Sequence, residues 1–568
     1  MDETHESGRA DLIVGLDMGG TQTDSVVAGP DGLISTAKAL TGEDLVETLT
    51  RALDRATAGI DPDRIARLTF STTMAANAII QDRLDGAGML VSSGPGMDPD
   101  LFAVGPSYHV IKGSLDHRGI EAAPLDQGEV MDAARRIRAR GVSAAGVTGK
   151  FSVRNPMHEL QTAEWIRPFF RHVAVGHTAS GHLNFPRRIT TTYLNASLHA
   201  LHRSFVNALL GIIQQRGVKA PLYLLKPDGG TVGLEHSLLF PAQAVQSGPA
   251  ASVMGALALD PCTNTTLVLD IGGTTTDIAL VYRGAPLLEP TGVRIGPYST
   301  LIRSLHTRSV GIGGDSEVRP GEGGLLRIGP LRQGPPAALG GPAPTPTDAM
   351  VQLGLLELGD PRAARSSLES LFSATRLGPD GTARAILVRM AELIAESTAA
   401  FVHFVNARPV YTIREVLEGK TITPSRAVVI GGPAAQLAEF VGSALRIPTF
   451  VPPHAEVANA LGAAVSRVTC EVTLQADTAR REAVIPEAGV QQAVSRDFDP
   501  EAAMSLARKA LLDLASRTGA TADPIETAVV ENKVFNMIQG FTRTGRLIRI
   551  RLCLVPGLLS GWNRGAAS

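Results

Sequence analysis

The sequence predicts a two-lobed α/β protein with duplicated halves and a small C-terminal α+β unit. The main observation is a repeated turn, L-D-x-G-G-T-x-T-D, found at residues 16–24 and again at residues 269–277. The copies lie about half a chain apart, which indicates two halves built alike rather than a short tandem repeat. The 568-residue length also exceeds what one hydrophobic core usually spans. Strand and helix patterns alternate through about residue 180, which favours layered α/β domains.

In the first half, local composition predicts each element in turn. The run "DLIVGLDMG" is apolar, rich in β-formers and closed by glycines, so it predicts a buried strand and a tight turn. "SVVAGPDGLI" predicts the return strand of a hairpin, residues 43–58 a helix, and "IARLTFSTTMAANAII" a strand that leads into a helix. "AAGVTGKF" and "HVAVGHT" predict two further strands.

The second half repeats this alternation with longer helices. Residues 188–216 and 381–407 have helical patterns, and "PLYLLKPDGG" predicts a strand. "QSGPAA" precedes a helix of small residues and the second Asp turn, and "RAVVIGGPAA" predicts a strand, a turn and a helix entry. Residues 319–347 are rich in proline and glycine, which predicts a loop outside the core that serves as a lid or a subunit contact.

The last hundred residues predict a separate small unit. From about residue 472 the composition is more polar, with a helix near residues 499–516 and a hairpin in "NMIQGFTRTGRLIRIRL". We therefore expect three domains: an N-terminal lobe with the first turn at 1–185, a second lobe with the second turn at 186–470, and a C-terminal unit at 471–568.

Bulk composition excludes several classes of protein. A formal net charge of −2 gives no electrostatic footprint for nucleic acid or for an anionic membrane. No apolar run approaches the roughly 18 to 20 residues that span a bilayer, and the polar, acidic start lacks the regions of a signal peptide. Cys262, Cys470 and Cys553 are far apart and predict neither a disulfide framework nor a metal pair. We expect a soluble, cytoplasmic protein with no nucleic-acid or membrane partner.

The repeated turn combines three groups that suit a nucleotide. Its carboxylate is a hard oxygen ligand for Mg²⁺, its glycine N–H groups can approach phosphate oxygens closely, and its threonine hydroxyls are neutral donors. Two such turns facing each other across a cleft could hold a triphosphate, with Mg²⁺ bridging its oxygens. The candidate residues are Asp17 and Asp270 for catalysis and Mg²⁺, and Gly19, Gly20, Thr21, Thr23, Gly272, Gly273, Thr274 and Thr276 for the phosphates.

Simpler interpretations exist for each motif taken alone. One Asp turn is also compatible with a tight β-hairpin whose side chains satisfy turn amides, although two copies at strand ends weaken that interpretation. A third turn, Gly431-Gly432-Pro433, is a candidate adenosine site or merely a helix entry. A P-loop is excluded because Arg414 stands where its first glycine is needed before Gly419.

Three histidines spaced five apart, His172, His177 and His182, raise the hypothesis of a metal site. That spacing matches neither one face of a helix nor one face of a strand, and no cysteine or carboxylate cluster supports it. We therefore expect no metal cluster there.

The order of the three turns resembles that of the actin, sugar-kinase and heat-shock-chaperone ATPases, whose actin-like, ribonuclease H-like fold has duplicated halves. Within that superfamily the chain resembles the hydantoinase A/oxoprolinase family over roughly residues 11–465. The resemblance is specific, since unrelated folds would not share eight ordered blocks. They are "STTMAANAII", "FSVRNPMHE", "RITTTYLNA", "QSGPAASVMGA", "DIGGTTTDIAL", "SVGIGGDS", "PTPTDAMVQLG" and "VVIGGPAA".

The resemblance implies an ATP-dependent hydrolase of cyclic amides, similar to N-methylhydantoinases and 5-oxoprolinases, or a subunit of an acetone or acetophenone carboxylase. ATP would phosphorylate a carbonyl or amide oxygen, and a hydantoinase B-type partner subunit would complete hydrolysis or carboxylation. Enzymic phosphoryl transfer needs mainly positioning and charge neutralisation, which two facing turns supply. Two alternatives stay open: a small-molecule kinase, and an ATPase that activates or remodels a partner protein.

The resemblance also implies a set of substrate-facing residues. Thr72, Thr73 and Asn77 match the family's threonine pair and asparagine, although Asn77 is equally a candidate helix cap. His177 stands where the family has a histidine and is a candidate for the cleft. His306 precedes the glycine-rich loop and is a candidate contact for substrate or Mg²⁺, although a local structural role is favoured.

Three other carboxylates are candidates for roles near the turns, and the chain departs from the family pattern at several positions. Asp24 and Asp277 either touch the ligand or brace their turns, and Asp348 is favoured as a helix cap over a remote site carboxylate. The nucleotide turns match the family pattern, whereas the substrate-facing blocks differ from it, so the nucleotide is better defined than the substrate. The departures are Phe70 and Ser71 in place of His-Gly, Lys226 to Gly230 in place of Ser-Asn-Gly-Gly, and Asp315 inside the glycine run.

Overall fold

The structure, a computed structural model, describes residues 10–42, 44–322, 325–407, 421–520, 526–560 and 562. The acidic start of the chain and the excluded P-loop segment around Gly419 lie outside the described residues. No helix in the described part is long and apolar enough to cross a bilayer.

The first part of the chain forms two sheets with helices packed on them. Its elements are β1 (Leu12–Met18), β2 (Gln22–Gly29), β3 (Gly32–Leu40), α1 (Leu45–Ala56), β4 (Ile65–Thr72), α2 (Met74–Ile80), β5 (Ala87–Ser92), β6 (Ser107–Val110), β7 (Ser114–Leu115), β8 (Glu121–Ala123), α3 (Gln127–Ala139), β9 (Ala144–Gly149), α4 (Met157–Ile166), β10 (His172–Val175), α5 (Gly176–Ala179), α6 (Phe185–Gln215), β11 (Leu222–Leu225) and β12 (Thr231–Gly233). The six-stranded sheet has the order β12-β11-β4-β1-β2-β3, and a smaller sheet has the order β10-β9-β5-β6.

These elements confirm the predicted strands and helices of this part of the chain. Helix α6 and strands β11 and β12 follow the predicted domain boundary between residues 185 and 186. Ile189 and Val206 of α6 lie in the same core as Leu16 of β1, and β11 and β12 belong to the sheet of β1. Local composition does not reveal which sheet a long helix covers.

The second lobe is built on another sheet of the same design. Its elements are α7 (Ser247–Leu259), β13 (Thr266–Ile271), β14 (Thr276–Tyr282), β15 (Ala285–Pro286), β16 (Arg294–Ile295), β17 (Tyr298–Ser299), β18 (Thr307–Val310), β19 (Val318–Pro320), β20 (Leu326–Ile328), α8 (Pro346–Gln352), α9 (Pro361–Leu368), α10 (Phe372–Thr375), α11 (Pro379–Asn406), β21 (Arg426–Ile430), α12 (Ala434–Leu445), β22 (Thr449–Phe450) and α13 (Ala458–Val465). The main sheet has the order β15-β14-β13-β21-β22, and β18 pairs with β14.

The two lobes repeat one arrangement around the Asp turns. In the first lobe β1 pairs antiparallel with β2, placing Asp17 opposite Asp24, and parallel with β4. In the second lobe β13 pairs antiparallel with β14, placing Asp270 opposite Asp277, and parallel with β21. This duplicated geometry confirms the predicted two-lobed, actin-like α/β fold.

Helices α7 and α13 pack between the two lobes. Their side chains Ala258, Ala460 and Leu461 form a small buried core with Val26 and Ala28 of β2. Small side chains let helix and strand backbones approach closely, so this core holds the lobes together behind the Asp turns.

Residues 319–347 correct the prediction of a loop outside the core. β19 and β20 pair as a hairpin, and Leu326 and Ile328 are buried in the core of the second lobe. Asp348 lies in a capping box with Thr345, as favoured, and its buried carboxylate also accepts N–H groups of this segment. The proline and glycine content predicted an exposed loop. A few apolar side chains and one buried carboxylate are nevertheless enough to pack this segment against the second lobe.

The C-terminal unit has its own sheet and core. Its elements are β23 (Glu471–Asp477), β24 (Glu482–Ile485), β25 (Val490–Ala493), α14 (Pro500–Arg517), β26 (Thr527–Gln539) and β27 (Thr542–Leu554). The sheet has the order β25-β24-β23-β27-β26, and α14 packs on it through a core that includes Leu511 and Ile550. The predicted helix and hairpin are both confirmed.

Candidate functional site

The two Asp turns have the same local geometry. The N–H of Gly19 donates to the carbonyl of Gln22 over 3.0 Å, and the N–H of Gly272 donates to the carbonyl of Thr275 over 2.9 Å. Each bond closes the turn that follows its strand, so each aspartate at the preceding strand end faces the same region beside the turn glycines.

The charges of the two turns act on one another: that of Asp270 raises the pKa of Asp17, and that of Asp17 raises the pKa of Asp277. Asp17 and Asp270 are each 8 % exposed. Asp270 Oδ2 accepts hydrogen bonds from Ser252 Oγ at 2.6 Å and from Asn459 Nδ2 at 3.0 Å. The side chains of Ser71 and Asn459 lower the pKa of Asp17. Asn459 therefore acts on the aspartates of both turns.

Burial raises the pKa of Asp17 from its ordinary 3.8 to about 7, and the charges of Asp24 and Asp270 add to this effect against the hydrogen bonds from Ser71 and Asn459. Burial likewise raises the pKa of Asp277 to about 7, with a further contribution from the charge of Asp270. These buried carboxylates bring negative charges together where water solvates them poorly, which favours the binding of a cation.

Asp17→Asn should raise the thermal stability of the chain without Mg²⁺ or nucleotide, by more at pH 8 than at pH 5. The folded-state pKa of Asp17 lies near 7, above its ordinary 3.8, so the folded parent binds more protons over this range and loses stability as pH rises. Asparagine does not ionise and avoids this loss. Melting temperatures in EDTA between pH 5 and 8 measure the effect, with the exposed Asp63→Asn as control. A variant–parent difference that is constant with pH would contradict the prediction.

Mg²⁺ fits the donors present at this site. Asp17 Oδ1 is buried and has no hydrogen-bond partner, and a carboxylate oxygen is a ligand that Mg²⁺ prefers. No group of three or more His, Cys, Asp or Glu among the described residues could enclose a metal ion. Mg²⁺ usually takes one or two carboxylates and completes its shell with water and substrate phosphates, which suits Asp17 and Asp270.

The threonines of the turns divide into two pairs. Thr23 and Thr276 are fully buried, and their hydroxyls lie 3.0 Å from Thr41 Oγ1 and 2.7 Å from the carbonyl of Ile312. Thr21 and Thr274 are half-buried. The outer pair is therefore the more accessible to phosphate, while the inner pair already braces the turns.

Asp24 and Asp277 both make bonds that brace their hairpins. Asp24 lies 3.1 Å from Lys38 Nζ, and Lys38 also donates to the carbonyl of Glu456 at 2.6 Å. Asp277 accepts a hydrogen bond from Ser309 Oγ. These contacts favour the bracing role over direct contact with the ligand.

The third turn lies directly beside the second Asp turn. Since β21 is parallel to β13, Gly431 follows Ile430, the partner of Asp270 in the sheet. Gly431 has a φ of +98°, and a Cβ there would lie 2.6 Å from Asp270 Oδ1, so only glycine fits. Gly432 and Pro433 follow at the start of α12, with Gly432 exposed. The structure thus brings the candidate adenosine turn to the edge of the phosphate site.

The predicted threonine pair lies next to the first turn. Thr73 N and Oγ1 each lie 3.3 Å from the carbonyl of Met18, the residue before Gly19. Thr72 is buried and its backbone bonds to Ser247 at the start of α7. Asn77 lies inside α2 and donates to Thr73 Oγ1 at 3.3 Å, so it is not the cap of that helix.

The family departure at residues 70 and 71 has a clear structural meaning. Phe70 is 1 % exposed and fills the core of the first lobe. Ser71 is the partner of Asp17 in the sheet, and its side chain lowers the pKa of Asp17. A serine therefore touches the aspartate of the first turn where the family pattern has a glycine.

The three histidines spaced five residues apart lie in separate local environments. His177 is buried and its Nδ1 lies 2.6 Å from Glu159 Oε2, while His172 stacks on His199. His182 lies 3.7 Å from Glu471. The five-residue spacing thus brings no metal ligands together among the described residues.

His306 is buried at the edge of the second lobe. Its ring packs edge-on against Phe401 and Phe404, and its Nε2 lies 3.5 Å from Glu289. These contacts favour the local role for His306 over the substrate contact.

Three residues of the candidate site were not predicted from the sequence: Ser252, Asn459 and Arg332. Ser252 and Asn459 are polar residues in otherwise small, apolar helices, and such an isolated polar position was the available signal. Arg332 Nη1 lies 3.5 Å from Thr21 Oγ1 and its Nη2 lies 3.3 Å from Asp315 Oδ2. No pattern in the Pro/Gly-rich segment indicated that it reaches the site.

Two relatives of known function are subunits of enzymes. Caprolactamase subunit alpha of Pseudomonas jessenii is 26 % identical over 484 residues, which are 76 % of this chain and 67 % of that protein. The acetophenone carboxylase gamma subunit of Aromatoleum aromaticum is 25 % identical over 60 % of this chain and 53 % of that subunit. The chain thus spans about two thirds of the first relative and about half of the second.

Two solved structures have the same fold over nearly the whole chain. Nucleotide-free acetone carboxylase has a TM-score of 0.70 at 17 % identity, covering 97 % of this chain and 88 % of that one. ATP-dependent caprolactamase from Pseudomonas jessenii has a TM-score of 0.69 at 18 % identity, with the same coverage. The Hydantoinase/oxoprolinase family profile matches residues 188–472, and the profile of the Hydantoinase/oxoprolinase N-terminal region matches residues 13–170. The chain belongs to the hydantoinase/oxoprolinase family.

Proposed function

We propose that this chain activates a cyclic amide or carbonyl compound by transferring the terminal phosphoryl group of ATP to its oxygen. The observation that carries the proposal is the meeting of Asp17 and Asp270 at two matching turns, linked by Asn459. A phosphate on the amide or enol oxygen converts a poor leaving group into a good one, which permits later hydrolysis or carboxylation. The relatives named caprolactamase and acetophenone carboxylase support this class of substrate.

Within the proposed site, Asp270 and Asp17 hold Mg²⁺ or orient the attacking oxygen. Mg²⁺ held by these carboxylates would supply positive charge to the phosphate oxygens during phosphoryl transfer from ATP to the substrate oxygen. The glycines of both turns approach the phosphates through their N–H groups, Thr21 and Thr274 donate to the same oxygens, and the Gly431 turn accommodates the nucleoside.

We assign the substrate side of the proposed site to a cavity of about 110 Å³ that several charged side chains line. Lys226, Asp228 and Arg303 line it. Lys226 follows β11, two strands from β1 on the same sheet edge as the first turn. Arg303 Nη1 is buried there without a hydrogen-bond partner. A free buried donor suits a carbonyl oxygen, so we propose that the activated compound binds in this cavity.

A hydantoinase B-type subunit is the proposed partner, acting in a cytoplasmic hetero-oligomer. The names of the relatives as subunits support a multi-subunit enzyme. The hairpin of β26 and β27 also exposes Phe535, Ile538 and Phe541. Exposed apolar side chains grouped in this way are typical of a subunit contact.

Calorimetry of Mg²⁺-ATP binding tests the proposal first, with Gly20→Ala as the diagnostic variant. A Cβ at Gly20 would meet nothing within 4 Å, so the fold should tolerate it and the melting temperature should not change. If the backbone of Gly20 approaches phosphate, the added methyl should weaken ATP binding about tenfold or more.

Gly211→Ala in α6 is the matched control, since its Cβ also meets nothing. Equal affinities for both variants and the parent would contradict the proposed phosphate site. With binding established, ATP turnover is then measured with hydantoins, 5-oxoproline, lactams and ketones, each with and without a partner subunit. A stable phosphorylated product made without a partner would instead identify a kinase. Stimulation by a partner protein alone would identify a remodelling ATPase.

A further inference from the structure

Arg332 stands between the two phosphate turns. Its guanidinium contacts Thr21 of the first turn at 3.5 Å and the carboxylate of Asp315 at 3.3 Å. Asp315 in turn lies against the second turn, since its N–H donates to the carbonyl of Gly273 at 2.6 Å. One side chain therefore touches both halves of the proposed nucleotide site.

The backbone beside Arg332 is fixed on the second lobe. The carbonyl of Leu331 accepts from the N–H of Glu317 at 2.9 Å, and Gln333 Nε2 donates to Glu317 Oε1 at 2.9 Å. Asp315 is held as well, because Thr347 Oγ1 lies 3.1 Å from its Oδ1. The fold thus sets the backbone position of Arg332, which places its guanidinium within reach of both turns.

The contacts of Arg332 are easily exchanged. Both are long, and 30 % of the side chain is exposed, so its ion pair with Asp315 is largely screened by solvent. Lys38, the other cation beside a turn described above, is held by Asp24 and by the carbonyl of Glu456. Arg332 is therefore the more available cation for an incoming anion.

We propose that Arg332 binds the terminal phosphate of the nucleotide, leaving Asp315 when ATP enters; this inference rests on the proposed function. A guanidinium presents paired N–H donors that match phosphate oxygens. A cation at that place also neutralises charge on the group being transferred. Asp315, an acidic residue inside the glycine run, holds the guanidinium between the turns while the site is free and competes with phosphate for it.

The test compares the binding of a non-hydrolysable β,γ-imido ATP analogue with that of ADP, both with Mg²⁺, by calorimetry on the full chain. Arg332→Gln should raise the Kd of the analogue by about tenfold to a hundredfold and that of ADP far less, because ADP lacks the terminal phosphate. Arg319→Gln is the matched control: this arginine is on β19, is 47 % exposed and pairs with Glu317. It should leave both affinities unchanged.

Asp315→Asn supplies a second measurement. It keeps the shape of the side chain and removes the competing charge, so the analogue should bind more tightly than to the parent. Equal losses for analogue and ADP in Arg332→Gln, or no loss, would overturn the assignment of Arg332. Unchanged or weaker analogue binding by Asp315→Asn would overturn the competing role of Asp315. A parent that binds neither nucleotide would overturn the proposed function and this inference with it. If the parent binds both nucleotides and Arg332→Gln shows no selective loss of the analogue, only the assignment of Arg332 is overturned.

Discussion

Asp270→Asn should abolish most Mg²⁺-ATP turnover while leaving the fold intact. Asp270 is 8 % exposed and receives hydrogen bonds from Ser252 and Asn459, which an asparagine oxygen can still accept. The lost charge removes a ligand for Mg²⁺ or the group that orients the attacking oxygen, so turnover should fall by about 10²–10³-fold. Asp17→Asn should have the same effect, since the two residues occupy equivalent places in the two turns.

Asp277→Asn is the matched control for that experiment. It lies opposite Asp270 in the same hairpin, but its carboxyl bonds to Ser309, and burial raises its pKa to about 7. The control should therefore keep turnover within about tenfold of the parent. Steady-state ATPase assays, with circular dichroism to check the fold, measure all three variants. Parent-like turnover by both Asp17→Asn and Asp270→Asn would show that the two turns are not the site.

Glu159→Gln should destabilise the first lobe more than any surface change. Glu159 is 1 % exposed and accepts from the N–H of Gly149 and from both the N–H and Nδ1 of His177, all at 2.6–2.7 Å. Burial opposes its ionisation, yet the hydrogen bond and charge of His177 and the charge of Arg188 leave its pKa below the usual range. Arg188 is fully buried.

Removing this charge takes the carboxylate partner from the buried His177 and places an amide N–H₂ against the N–H donors of Gly149 and His177. Leaving buried hydrogen-bonding groups unsatisfied costs about 1–3 kcal/mol, and more beside charged groups, so we expect a loss of at least about 2 kcal/mol in the free energy of unfolding. Glu121→Gln is the control, because Glu121 pairs with His158 but is 43 % exposed, and an exposed pair contributes about 0–1 kcal/mol. Denaturant titrations measure both, and equal values for the two variants would refute a stabilising role for the buried network.

The local elements were predictable because they depend on short-range composition. The Asp turns, the hairpins, helix α14 and the strand before Gly431 follow from apolar runs ended by glycines and from helical periodicity. The duplication of the two halves was recognisable for the same reason, since both Asp turns contain one nine-residue pattern. The resemblance to a known family then assigned a role to each of the three turns in chain order.

The packing of helix α6 and the burial of part of residues 319–347 were not predictable, because both depend on long-range contacts. Helix α6 has buried residues along most of its length, and nothing local shows that they cover the sheet of β1. Leu326 and Ile328 lie among prolines and glycines, where two apolar residues carry no periodic signal, yet the second lobe provides a place for them.

The sequence by itself determined the fold class, the two Asp turns and the aspartates at their strand ends, because each turn is encoded within about ten consecutive residues. Only the tertiary structure decided which distant residues complete the site. Ser252 and Asn459 reach Asp270 from helices packed between the lobes, and Arg332 reaches Thr21 from across the cleft. Contacts between residues hundreds of positions apart are set by how the lobes pack, which no local pattern records.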